Sequence, residues 1–142
     1  MEIRKFELGD LQKVIELSIK AYEKKGEREI KEFAKGFTDY TLGKYLSEPE
    51  GLFVAEENDE IIGNCFGHID EKDKKLGWLW YIAIASHTQG KGIGSKLLNS
   101  LLLYFKRKRV RKVKLGTDKV KSVPFYQKHG FRITRWVFER EI

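Results

Sequence analysis

The sequence predicts a mixed α+β fold. One twisted, mixed sheet of six to seven strands would carry helices on both faces, with residues 1–142 forming a single domain. Three observations predict it. An uninterrupted apolar run, Trp78 to Ala85, is rich in aromatic and β-branched residues and reads as a central strand covered on both sides. A glycine-rich turn follows, and then an amphipathic helix whose stripe is Ile93, Leu97, Leu98, Leu101, Leu102 and Phe105. Before this point strands follow one another through short turns, as antiparallel neighbours do. After it a helix intervenes before the strand at 112–117, which implies a parallel crossover.

Taken in order, residues 2–6 read as a short strand. Asp10 is placed as the N-cap of a helix whose face is Leu11, Val14, Ile15, Ser18, Ala21 and Tyr22. A second helix spans roughly 29–46, despite Gly36 and Gly43, and breaks at Ser47-Glu48-Pro49-Glu50-Gly51. Residues 52–57 and 61–70 read as strands joined by a tight turn at Asn58-Asp59. Gly63 and Gly67 within the second of them mark bulges or the close approach of another group. A charged connection at 70–75 leads into the central strand. The last helix runs from about Ser122 to Lys128, with Pro124 in its first turn and Gly130 just beyond its end. Residues 132–142 are expected to add one or two final strands.

The glycine turn carries the first chemical signal. The first turn of a helix exposes unpaired N–H groups and the positive end of its dipole. Glycines let an anion approach them, so a phosphate or pyrophosphate is the natural guest. The spacing Gly90-x-Gly92-x-Gly94 fits neither the dinucleotide fingerprint nor the P-loop. It does supply Gln-x-x-Gly-x-Gly through Gln89, Gly92 and Gly94, which resembles the coenzyme A pyrophosphate loop of the GNAT superfamily of N-acetyltransferases. The later segment Phe125-Tyr126-Gln127-Lys128-His129-Gly130-Phe131 is similar to that family's helix carrying a tyrosine and ending in Gly-Phe. The two matches cover roughly residues 78–131, in the family's order.

The resemblance implies an acetyl-CoA site after the central strand and transfer of an acetyl group to a primary amine. Its cradle would be the backbone of Gln89, Gly90, Lys91, Gly92, Ile93, Gly94 and Ser95. Backbone N–H groups of Ile82 and Ile84 are the positions implied for the acyl and pantetheine portion. Tyr126 is the implied acid for the departing thiolate, since a thiol near pKa 8.5 and a phenol near 10 exchange a proton without extreme tuning. Where the family often has an asparagine and an alanine, this chain has Lys119 and Ser122. Lys119 is read as a contact to coenzyme phosphate or as a solvated lysine. Many relatives also place a carboxylate on the strand before the loop, but Gly77 to Ala85 has none. His68, Asp70 and Glu71 on the preceding strand and turn are the remaining candidates for a base. His87 and His129 read as structural.

Composition narrows the rest. Hydrophobic residues make up 41% of the chain and aromatic residues 13%, too many for a disordered chain. The lone cysteine, Cys65, excludes an internal disulfide and a cysteine-cluster zinc site, and no metal is expected. No segment reaches transmembrane length, so the expectation is a cytoplasmic protein with no membrane partner. The formal net charge is +7, much of it in the run Lys106 to Lys114. No aromatics interleave there, which disfavours nucleic acid as the partner. The expected partners are acetyl-CoA and an amine acceptor. Dimerisation is common in that family, and a homodimer remains open. Two other readings stand beside the enzyme: a non-catalytic acyl-CoA-binding or regulatory module that lost its base, and a basic nucleic-acid binder.

Overall fold

A computed structural model describes residues 1–142. Five strands form one sheet in the order β1-β2-β3-β4-β5, with β1 at Glu2–Lys5, β2 at Leu52–Glu57, β3 at Glu60–Ile69, β4 at Leu76–Ile84 and β5 at Lys112–Lys114. The first four pair antiparallel, and β5 joins β4 in parallel. Helices α1 (Leu11–Ala21) and α2 (Glu27–Ser47) cover one face, and α3 (Ile93–Arg107) and α4 (Val123–Lys128) serve the other.

Alternation along the strands builds two cores. Leu52, Val54 and Phe66 point towards α1 and α2, where Phe6, Val14, Ile15 and Phe37 meet them. Phe53, Ala55, Cys65 and Leu79 point towards the Leu97, Leu98, Leu101 and Phe105 stripe of α3. The β2–β3 turn is Asn58-Asp59, both left-handed at φ 52° and 63°, which matches the twist of a two-residue hairpin.

Small residues seat α3 on the sheet. A Cβ on Gly63 would lie 2.9 Å from Leu97, one on Gly67 2.7 Å from Leu101, and one on Gly77 2.8 Å from the Phe105 ring. Three turns of α3 thus interlock with three bare positions of β3 and β4. Close approach, the alternative reading for Gly63 and Gly67, applies to both, and the β3–β4 register also shifts between Phe66 and Gly67. Gly77→Ala is therefore expected to cost about 1–3 kcal/mol, the usual penalty of overpacking. A urea unfolding midpoint checks this, and an unchanged midpoint would show that α3 can lift without cost.

Four expectations change. The sheet has five strands rather than six or seven. Its fifth ends at Lys114, short of Thr117. Residues 132–142 add no strand and are exposed throughout, because nothing in one copy of the chain pairs with them. Asp10 does not cap α1. Its carboxylate turns back to take the Arg4 guanidinium at 2.9 Å through both oxygens and the Glu7 amide at 2.8 Å. No helix is long and apolar enough to cross a membrane.

Candidate active site

The site begins where β4 and β5 part. They pair only over Leu76–Trp78 and Lys112–Lys114, so the remaining length of β4 has a free edge on that side. The alternation of an antiparallel ladder settles which amides face it. Ala85 N–H donates to the Ile62 carbonyl at 2.8 Å, so every second residue back, Ala83 and Tyr81, also bonds towards β3. The N–H groups of Ile82 and Ile84 therefore face the opening.

Beyond Ile84 a short 3-10 turn, Ser86–Thr88, leads to the glycine loop. Thr88 fixes this turn by donating its hydroxyl to the Ala85 carbonyl at 2.8 Å. Gly90 and Gly92 are left-handed at φ 85° and 76°, and Gly92 stands at the N-cap of α3. A Cβ at either would meet nothing within 4 Å, so the loop borders open space. Gln89, Gly90, Lys91 and Gly92 are exposed, while Ile93 is buried and anchors the first turn. Gly94 is different: a Cβ there would touch the Phe125 ring at 3.4 Å. Ser95 bonds His129 Nε2 at 2.9 Å, which ties the start of α3 to the end of α4.

Tyr126 lies on α4, and a left-handed Gly130 closes that helix. The Phe131 N–H donates to the Tyr126 carbonyl at 3.0 Å and Gly130 N–H to Gln127 at 3.1 Å, the six-to-one and five-to-two pair of a Schellman ending. The ring is packed between Phe125 and Phe131 and is 9% exposed. Its hydroxyl has no protein partner, yet it is not among the fully sealed polar atoms. Burial pushes its pKa up, and the neighbouring Tyr22 and Cys65 add to that.

Tyr22 is the residue that sequence reasoning missed. Periodicity assigned it to the apolar face of α1, but it lies just past the helix end, and its hydroxyl accepts the Ile82 N–H at 2.9 Å. Burial pushes its pKa up to about 12, so the hydroxyl keeps its own proton. No local pattern could signal this contact, which joins residues sixty positions apart. Lys119 is partly buried at the cleft wall. Its ammonium donates to the Ala21 carbonyl and sits 5.7 Å over the Tyr22 ring.

A cleft of about 1150 Å³ opens between α1, the end of β4, Gln89 and residues 118–122. Lys13, Lys20, Lys119 and Lys121 line it together with Glu16, Glu23, Glu60 and Asp118. With charges balanced, an anion there would rely on the oriented N–H groups of the loop rather than on a net basic field.

The base candidates separate clearly. Asp70 is held below the usual carboxylate range, chiefly by the Trp78 indole N–H at 3.0 Å and then by the amides of Asp73 and Lys72. It builds the hairpin. His68 shares a 2.7 Å hydrogen bond with Tyr40, and burial, with help from Lys44, lowers its pKa to about 4. It pairs with Trp78, three residues along β3 from the Cys65–Ile82 pair, so it stands roughly 10 Å from the Ile82 amide. Cys65 is fully buried, and burial raises its thiol pKa, which leaves it inert as a nucleophile. No cluster of three potential metal ligands is present.

Fold and opening together define an α+β protein with a splayed parallel pair and an amide-lined gap. The Acetyltransferase (GNAT) family description matches residues 11–131, and the chain belongs to that family, whose members draw the acetyl group from acetyl-CoA. An uncharacterised N-acetyltransferase of Methanocaldococcus jannaschii is 27% identical over 139 residues, covering 91% of this chain and 59% of that protein. An L-2,4-diaminobutyric acid acetyltransferase of Marinococcus halophilus is 36% identical over 53 residues, covering 37% of this chain and 31% of that protein. The chain thus spans less than two thirds of these curated relatives. A PaiA N-acetyltransferase from Thermoplasma acidophilum, solved in complex with coenzyme A, shares the fold at a TM-score of 0.78 and 20% identity. That match covers 94% of this chain and 90% of that one.

Proposed function

We propose that residues 1–142 form a single acetyl-CoA-dependent N-acetyltransferase domain. It transfers the acetyl group to a primary amine by direct attack in a ternary complex, in the cytoplasm and without a metal. The observation that carries this reading is the convergence at one opening of the sheet. Outward amides of β4 and the N-terminal turn of α3 border it, and the unpartnered Tyr126 hydroxyl has as a neighbour Tyr22, which itself bonds the Ile82 amide.

Each part has a role. Amides of Gln89 to Ser95 receive the pyrophosphate, and the left-handed Gly90 and Gly92 keep side chains out of its way. Lys91, exposed beside them, adds charge. The outward amides of Ile82 and Ile84 bind the thioester and pantetheine portion, so that a fixed N–H meets the oxygen on which charge develops. Tyr126 gives its proton to the departing thiolate. Lys119 holds the cleft wall against α1. With its lone cysteine, Cys65, buried, the chain offers no thiol for an acyl-cysteine intermediate, which supports direct attack. The acceptor enters beside α2, where Tyr40 stacks on the exposed Trp80 at 5.9 Å and reaches His68. Two copies of the chain act as a homodimer.

Tyr22 sets a competition, because its hydroxyl holds the Ile82 N–H that the thioester oxygen needs. Tyr22→Phe is expected to tighten acetyl-CoA binding several-fold, by roughly the ~1 kcal/mol of one net hydrogen bond. Calorimetric titration checks it. Unchanged or weaker binding would show that the hydroxyl is no competitor.

The acyl-CoA-binding module remains the second reading, because two of the three base candidates are compromised: Asp70 is taken up by the hairpin and His68 is too acidic to serve well. Thiol release on a broad amine panel separates the two. Transfer to any amine supports the enzyme, whereas tight binding with no transfer across the panel would establish the module.

A further inference from the structure

Residues 132–142 leave the domain after Phe131, belong to no strand or helix and are exposed at every position. Their composition does not suit exposure. Trp136, Val137 and Phe138 are 76%, 83% and 95% exposed, and Ile133 and Ile142 are also open. Aromatic and β-branched residues of this kind fit a half-buried pleated surface. Three adjacent large apolar side chains in water point to a missing partner.

The sequence of the segment identifies that partner, because Arg-Trp-Val-Phe-Glu is self-complementary when read antiparallel. With Val137 opposite Val137 of a second copy, Arg135 faces Glu139 twice, and Trp136 faces Phe138 twice. Alternation then puts the four aromatic rings on one face and the two ion pairs, flanking the valines, on the other. A slip of one residue sets Arg135 against Arg140 or Phe138 in place of Glu139. A slip of two sets Val137 against Glu139 or Arg135. A two-fold interface uses the same patch on both copies, which is what such a palindrome provides.

We propose that residues 132–142 are a dimerisation strand that pairs antiparallel with the same segment of a second copy, about a two-fold axis at Val137. This deepens the homodimer reading above and is independent of acetyl transfer. A two-stranded ribbon alone is marginal in water. The dimer therefore gains its strength from covering the aromatic face and should depend on concentration.

Sedimentation velocity of the full chain across a concentration series tests it, with acetyl-CoA binding followed in parallel. Wild type should shift from monomer to dimer. Arg135→Glu places like charges opposite each other twice and should weaken the dimer at least several-fold. The double variant Arg135→Glu/Glu139→Arg restores both pairs and should recover it. Val137→Cys should form an intermolecular disulfide at the axis, since directly opposed residues lie about 4.5–5.5 Å apart between Cα atoms. Buried Cys65 would take no part. A wild type that stays monomeric overturns both the homodimer and this seam. A dimer that ignores Arg135→Glu, or that the double variant fails to recover, overturns the seam alone. A segment folded onto the β5 edge of its own copy, near Lys112 and Lys114, would give the first result. Acetyl-CoA binding retained in every variant keeps these outcomes separate from the cofactor reading.

Discussion

Gly92→Glu should abolish acetyl-CoA binding and leave the protein folded. Gly92 is left-handed at φ 76°, a conformation that costs a side-chain-bearing residue roughly 1–2 kcal/mol. Its Cβ would meet nothing within 4 Å, so no clash adds to that. An acidic group at the first turn of α3 also gains about 0.3–1 kcal/mol from the helix dipole. The net cost is small beside a typical folding stability of about 5–15 kcal/mol. Binding is another matter. The new carboxylate would occupy the mouth of the cradle, where a pyrophosphate charge at about 4 Å repels it by roughly 4 kcal/mol at an effective dielectric near 20. That is roughly a thousandfold loss of affinity. Calorimetry with acetyl-CoA on both proteins, beside far-ultraviolet circular dichroism, is the check. A variant that folds and still binds would remove the loop as the pyrophosphate site.

Tyr126→Phe carries the second large effect. The hydroxyl makes no protein hydrogen bond, so deleting it leaves no orphaned group, and both stability and acetyl-CoA affinity should hold. Turnover should fall. A positioned acid typically contributes ~10²–10⁴-fold. The lower end is expected here, because burial lifts the phenol above its ordinary value near 10 and makes it a weaker donor. The thiolate released in the same apolar surroundings is also more basic than in water, which narrows the mismatch. Burial disfavours the phenolate, so the proton is present at neutral pH and is lost only above pH 10. Any alkaline fall in turnover below pH 10 therefore belongs to another group. Steady-state rates at saturating acetyl-CoA measure the effect, and normal turnover in the variant would remove Tyr126 as the acid.

Much of this site was legible because its signals are local. The strand before the loop, the glycine turn at the start of α3 and the stripe on α3 are each set by residues a few places apart. So is the Tyr126-to-Gly130 helix ending. The outward facing of Ile82 and Ile84 followed once β4 was paired with β3, because parity fixes every second amide. What was illegible depends on distant partners. Tyr22 gains its role only where the end of α1 meets β4. Asp70 looked available as a base until the hairpin brought the Trp78 indole back onto it. The contact of Lys119 with the Ala21 carbonyl joins residues far apart in the chain and had no local signal. The final strands were expected at residues 132–142, and whether such a segment forms a strand depends on a pairing partner that lies outside the segment.

The interlock of α3 with Gly63, Gly67 and Gly77 has a consequence for the thermodynamics of ligand capture. The loop is the N-terminal continuation of a helix pinned at Leu97, Leu101 and Phe105. The amides of its first helical turn, from the buried Ile93 onward, are therefore held by the packing of α3 on the sheet. The conformational entropy of ordering the cradle was lost when the chain folded, so little of it remains to be lost when a nucleotide arrives. The same cradle on a free loop would present identical donors and hold the nucleotide less tightly.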